Sequence, residues 1–322
     1  MDSKFFRLWK SWGTGDSGYE IGLELPFLDT LCCLCLTKSR EVLVYSGLDH
    51  VLRRAIRLSH RRSQAFYEPL RIAYKYLVNG YRECFEARKL ELNLLAHEVL
   101  PKVLEYAENR LKHLEDLLAL LASTNSVDVP MIGYEFVANR YLLDIIDGAE
   151  KAKLLVKEHI DLPSLSKVVI FVDNAGETLI DVAILANFAQ KFGIEKLTIF
   201  ARKDPYEVDV TYQDLINFVI EMLQDVIDGV KVEIVPRKSY PLLPVNEKID
   251  DIIEADIVLI KGIANFECFL EDVREDLARI YHKNTFLLFR AKCPVLASFF
   301  DVAIGTPIVI DKLFAEEVLN YG

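Results

Sequence analysis

Asp173 and Asn174 stand side by side, a carboxylate next to an amide carbonyl, and hard oxygen donors of this kind suit Mg2+ or Mn2+. They open the run Asp173-Asn174-Ala175-Gly176-Glu177, directly after the apolar stretch KVVIFV, and a helix is predicted from Thr178. Gly176 would let the backbone approach a ligand, and the helix N-terminus behind it favours an anion. Asp and Asn also cap helices, so this segment alone leaves ligation and capping both open. A second carboxylate, Asp209, follows the next apolar run; it suits the same cation or caps a helix beginning near Tyr212. Lys261, Gly262, Asn265 and Glu267 follow IVLI, and Arg290, Lys292 and Cys293 follow TFLLF. Lysine beside glycine, with an asparagine to hydrogen-bond, fits a phosphate contact as well as it fits a solvated turn.

What places these groups together is a strand-helix alternation. Short apolar, β-branched runs at 167–172, 197–201, 230–235, 257–260, 285–289 and 308–310 read as buried strands, with helices between them at 178–192 and 212–227. The pattern predicts an open, doubly wound, mostly parallel sheet, in which ligands bind beyond the carboxyl ends of the strands. Four of those ends carry the polar residues just named, and their concentration on one edge favours a site for a metal ion and a phosphorylated ligand. Residues 48–162 have helical texture instead, with Leu111, Leu114, Leu118 and Leu121 at three- and four-residue spacing. Long helices broken near Pro101, a loop at 125–130 and a further helix at 134–146 are expected there. The division is thus a helical part, 1–162, and a Rossmann-like α/β part, 163–322.

Composition agrees with a folded, two-part chain. Of 322 residues, 52% are hydrophobic and 27% charged, with a mean hydropathy of +0.18, which excludes disordered, collagenous and disulfide-scaffold classes. The first 160 residues hold 22 basic and 22 acidic side chains, so the net charge of -11 resides wholly in the remainder, with 16 and 27. An acidic half repels nucleic acid and anionic membrane and attracts cations, so no nucleic-acid or membrane partner is expected. No uninterrupted apolar stretch reaches the ~18 to 20 residues of a membrane span. The first residues lack an apolar signal core, and six Cys without framework spacing fit reduced thiols, so a cytoplasmic location is expected.

With these residues in view, the chain resembles the damage-control phosphatases, formerly a domain of unknown function (number 89), and most closely their archaeal branch. DNAGE at 173–177 matches the family's D-N-x-G-E, and KGIANFE at 261–267 resembles its K-G-x-x-N-F-E. FLLFRAKCPVLA at 286–297 is similar to a strand-to-helix segment built around A-K-C-P. PYEVDVT at 205–211 resembles P-I-I-N-D-A-T with Val208 in place of the Asn, so only Asp209 carries over. TNSVDV at 124–129 looks like G-N-x-x-D-F without its Gly and Phe, and Cys32 to Cys35 resembles an N-terminal C-x-x-C.

The resemblance implies a helical domain packed on the Rossmann-like one, with a divalent metal ion (Mn2+, Co2+, Ni2+ or Mg2+) held by Asp173, Asn174 and Asp209. It implies hydrolysis of phosphomonoesters of small metabolites, such as sugar phosphates or damaged phosphometabolites. Asp173, Lys261 and Glu177 would be catalytic, with Lys261 and Lys292 steadying charge as the phosphoryl group transfers. Asn125, Asp128, Gly262, Asn265, Glu267 and Lys292 would contact substrate or phosphate. Water is favoured over Asp173 as nucleophile, because a carboxylate committed to a metal attacks poorly.

Two other functions are carried beside this one: an S-adenosylmethionine-dependent carboxyl methyltransferase, and a non-catalytic phosphometabolite-binding module. The first lacks a glycine-rich cofactor loop after its first strand. GxGxxG at Gly13, Gly15 and Gly18 follows a polar start rather than a strand and reads as a turn. Cys32, Cys33 and Cys35 lack the partners a structural zinc requires, and Arg53, Arg57 and Arg61 read as a solvated helix face.

Overall fold

A computed structural model describes residues 6–9, 20–23, 79–128, 134–157, 165–227, 229–237, 249–274, 280–281 and 284–320. The cysteine cluster, the GxGxxG glycines and the arginine run fall outside the described residues.

Alternation along the strands decides the architecture. In the strand β4 (Lys167–Phe171), Val168 and Ile170 enter one hydrophobic core while Val169 and Phe171 enter another. β7 (Ile257–Lys261) divides likewise, with Ile257 and Leu259 on the first side and Val258 and Ile260 on the second. A strand apolar on both faces needs a helical layer on each, and both layers are present. The first is built from α1 (Asn79–Arg110), α2 (Leu114–Thr124), α3 (Tyr141–Lys151) and α4 (Glu177–Asn187). α5 (Ile263–Arg274), α6 (Pro294–Phe300) and α7 (Lys312–Asn320) cover the second.

Seven strands form the sheet, in the order β3 (Lys153–Leu155), β9 (Pro307–Asp311), β8 (Thr285–Arg290), β7, β4, β5 (Lys196–Arg202), β6 (Lys231–Arg237). β8, β7, β4, β5 and β6 are mutually parallel, as expected. β4 has β5 on one side and β7 on the other, so strand order reverses beside it, and in such sheets the carboxyl edge at that point is where ligands bind. β1 (Phe6–Trp9) and β2 (Glu20–Leu23) form a separate antiparallel ribbon.

Three details depart from the expected pattern. β9 runs antiparallel to β8, because Gly305 N bonds Ala291 O at 2.9 Å and Ala291 N bonds Thr306 O at 3.0 Å, returning the chain to the edge it left. β3, inside the stretch read as helical, joins the sheet parallel to β9. Pro101 does not break α1, which continues through it. The ring lies on the exposed side, while Leu92, Ala96, Leu100, Val103 and Ala107 hold the opposite stripe in the core, and this packing outweighs the lost hydrogen bond.

Candidate active site

Asp173 leaves β4 and is clasped by the loop that follows β5. Ala175 N bonds Val208 O at 2.8 Å and Val210 N bonds Asp173 O at 2.7 Å, so Asn174 and Asp209 face each other across an antiparallel bridge. This places the two carboxylates and the amide of the sequence reading at one point of the carboxyl edge. Two glycines permit the approach. At Gly262 (φ +84°), directly after β7, a Cβ would lie 2.0 Å from Asp173 Oδ2; at Gly176 (φ +79°) it would meet Leu92 O of α1 at 2.9 Å. α1 also supplies Asn93, whose Oδ1 accepts from Gly176 N at 2.8 Å.

α2 ends above the same point. Asn125, its C-cap residue, donates through Nδ2 to Asp173 Oδ2 at 3.2 Å and to Glu177 Oε2 at 2.7 Å, while its Oδ1 accepts from Arg290 N at 3.2 Å. Asn174 Nδ2 donates to Val127 O at 3.0 Å and to Asp173 Oδ2 at 3.1 Å. Two amides thus converge on one oxygen of Asp173. Lys292 is buried, with Nζ 2.7 Å from Val127 O and 3.1 Å from Asp128 Oδ2, and 5.9 Å from the centre of the Tyr134 ring. Asp128 is the more exposed of that pair, at 18%.

The other expected residues are turned to neighbouring elements. Lys261 is fully buried; its ammonium meets Leu121 O and Thr124 Oγ1 (2.8 Å) of α2 and pairs with Asp181 Oδ2 of α4 at 3.0 Å. Asn265 donates to Lys261 O at 2.7 Å and Val172 O at 3.2 Å and accepts from Arg237, tying the ends of β4, β6 and β7 together. Glu267 is buried in α5. Arg290, at the end of β8, is a staple: its guanidinium donates to the carbonyls of Ser123, Asp144 and Gly305, which belong to α2, α3 and the turn before β9.

Four participants were missed. Arg202 at the end of β5 pairs with Asp209 Oδ2. Tyr134 donates to Ser126 O. Thr124 and Asp181 complete the surroundings of Lys261. Asp181 carried a readable signal: it stands four residues after Glu177, so both acids share one face of a helix whose other buried members are almost all apolar.

Charge is crowded at this edge. Burial pushes the Asp173 carboxyl up to about 7, Asp209 adds to the push, and Lys292 and Arg202 oppose it. Burial also lifts Glu177 well above the carboxylate range despite nearby Lys261. Glu177 Oε1 is buried without a hydrogen-bond partner, an arrangement that a cation or a donor would relieve. Among the described residues, no hydrogen bond reaches Oδ1 of Asp173, Oδ1 of Asp209 or the amide oxygen of Asn174. These oxygens fit a hard divalent ion as two carboxylates and one amide; no group of three His, Cys, Asp or Glu among the described residues offers a richer set.

The fold and edge define an α/β protein with an acidic site at a topological switch point. A search of protein-family models places residues 54–308 in the damage-control phosphatase ARMT1-like domain, and the chain belongs to that family. A damage-control phosphatase from Archaeoglobus fulgidus is 25% identical over 239 residues, covering 71% of this chain and 76% of its own. A second, from Pyrococcus horikoshii, is 26% identical over 230 residues, covering 70% and 75%. The crystal structure of a DUF89 family protein from Pyrococcus horikoshii superposes with a TM-score of 0.60 at 20% identity, over 87% of this chain and 98% of that one, which shows the shared fold. No helix among the described residues is long and apolar enough to cross a membrane.

Proposed function

We propose that the protein is a divalent-metal-dependent phosphatase that hydrolyses phosphomonoesters of small metabolites. The observation that carries this reading is the bridge of Asn174 to Asp209 at the switch point, which brings Asp209 to Asp173, each carboxylate keeping one oxygen free of hydrogen bonds among the described residues. A cation bound there would neutralise phosphoryl oxygens and make water a stronger nucleophile at neutral pH. Asp173, Asn174 and Asp209 would hold it, and Arg202 fixes the other oxygen of Asp209. Asn125 bridges Asp173 and Glu177, letting two acids share a dry site. Burial disfavours the charged form of Glu177, which suits it to pass a proton to a leaving oxygen. Lys292 supplies the positive charge close to this cluster, and Asp128 beside it is exposed enough to accept a substrate hydroxyl. The names of the two archaeal relatives support the reaction class.

The purified protein should release phosphate from p-nitrophenyl phosphate with Mn2+, Co2+, Ni2+ or Mg2+. Absence of release across that panel, with folding shown by circular dichroism, would refute the proposal.

A further inference from the structure

We infer that Asp181, acting with Thr124 and Lys261, is a positioning residue that seats Asn125 on the Asp173–Glu177 pair; this rests on the phosphatase reading and deepens it. Asp181 and Lys261 are 1% and 0% exposed, so the pair is sealed from solvent and its strength is not diluted by water. Lys261 belongs to the last residue of β7, Asp181 to α4, and Thr124 to the last residue of α2. The Thr124 hydroxyl lies 2.6 Å from Asp181 Oδ1 and 2.7 Å from Leu121 O, and it accepts from Lys261 Nζ at 2.8 Å.

The geometry makes a knot of three elements at the point where α2 stops. A lysine at the C-terminal carbonyls of a helix is favoured by the helix dipole, and the carboxylate of α4 supplies the compensating charge. Asn125 is the next residue after Thr124, and its single amide group bridges the two site acids. The position of that amide is therefore set by the knot below it. Among the described residues neither Asp181 nor Thr124 hydrogen-bonds Asp173, Asn174, Glu177 or Asp209; the charge of Asp181 is felt at Glu177, while the contact path from the knot to the site runs through Asn125.

The test is a mutant cycle on the full-length, metal-loaded protein with p-nitrophenyl phosphate. Asp181→Asn keeps volume and one hydrogen-bonding oxygen but removes the charge. It should lower kcat by about tenfold or more while KM changes less than about threefold. Added to Asn125→Ala, it should lower kcat by less than about twofold further, because the residue through which it acts is already gone. Thr124→Val, which removes only the hydroxyl, should show the same dependence on Asn125 and serves if Asp181→Asn does not fold. Hydrogen exchange at 123–127 should quicken in both variants. That arm reads the knot whether or not the protein hydrolyses phosphate, so its failure is distinct from failure of the phosphatase reading. Multiplying effects of Asp181→Asn and Asn125→Ala, or unchanged exchange at 123–127, would overturn the inference.

Discussion

Replacing Asp173 by Asn should stabilise the metal-free protein while abolishing its response to metal. A carboxyl lifted from 3.8 to about 7 by burial and by Asp209 carries a penalty of ~4 kcal/mol when ionised at pH 7.5, at about 1.36 kcal/mol per pKa unit. Asparagine removes that penalty. It also weakens the bonds from Asn125 and Asn174, which would then reach a neutral carbonyl, by roughly 1 kcal/mol each. The net gain is about 2 kcal/mol. With an unfolding entropy of about 2.1 cal/mol/K per residue over 322 residues, this raises Tm by roughly 3 °C. The sign depends on pH. The folded wild type binds more protons than the unfolded chain between about 3.8 and 7, so its metal-free stability falls as pH rises through that window. At pH 5 most of the penalty is absent, and the advantage of Asp173→Asn should vanish or reverse. Scanning fluorimetry in EDTA at pH 5 and 7.5, then with Mn2+, measures all three quantities. A variant less stable than wild type at pH 7.5, or one that keeps the Mn2+-induced rise, would refute the reasoning.

Gly262→Ala should be severe, since its Cβ would fall 2.0 Å from Asp173 Oδ2; activity should drop by at least about 100-fold, read as initial rates at saturating Mn2+. Lys292→Met removes a cation that holds Asp173 and Glu177 down, so the acidic limb of the kcat/KM profile should move to higher pH, by about half a unit or more. Arg290→Ala leaves the carbonyls of Ser123, Asp144 and Gly305 without their donor and should cost about 3 kcal/mol in urea denaturation.

The sheet was legible because its strands are short apolar runs bounded by turns, and 167–171 could scarcely be anything but a strand buried on both faces. The strand ends were legible for the same reason: polar residues after such a run have only the carboxyl edge to occupy. Direction and destination were not. β9 runs backwards because of two hydrogen bonds between Ala291 and the turn at 305–306, and no residue type announces them. Lys261 reads as a phosphate contact from its neighbours, yet its ammonium meets groups some 140 residues earlier in α2, a partnership that exists only after folding. Pro101 misled in the other direction, since a helix packed along one stripe keeps going past a missing hydrogen bond on its outer side. Asn125 and Asp128 came from family resemblance alone; spacing gave no hint that α2 would end over Asp173.

The staple at Arg290 has a meaning for the order in which the molecule is made. Ser123 and Asp144 precede that arginine by 167 and 146 residues. A ribosome therefore releases α2 and α3 long before the side chain that fastens them exists. Their leucine-rich faces must wait, exposed or temporarily shielded, until nearly the whole chain has emerged. The parts synthesised early are fastened late, so a truncated product ending before residue 290 would contain the acidic residues of the site and the knot beneath Asn125, yet lack the Arg290 backbone N–H that Asn125 accepts and the guanidinium that fastens α2 to α3.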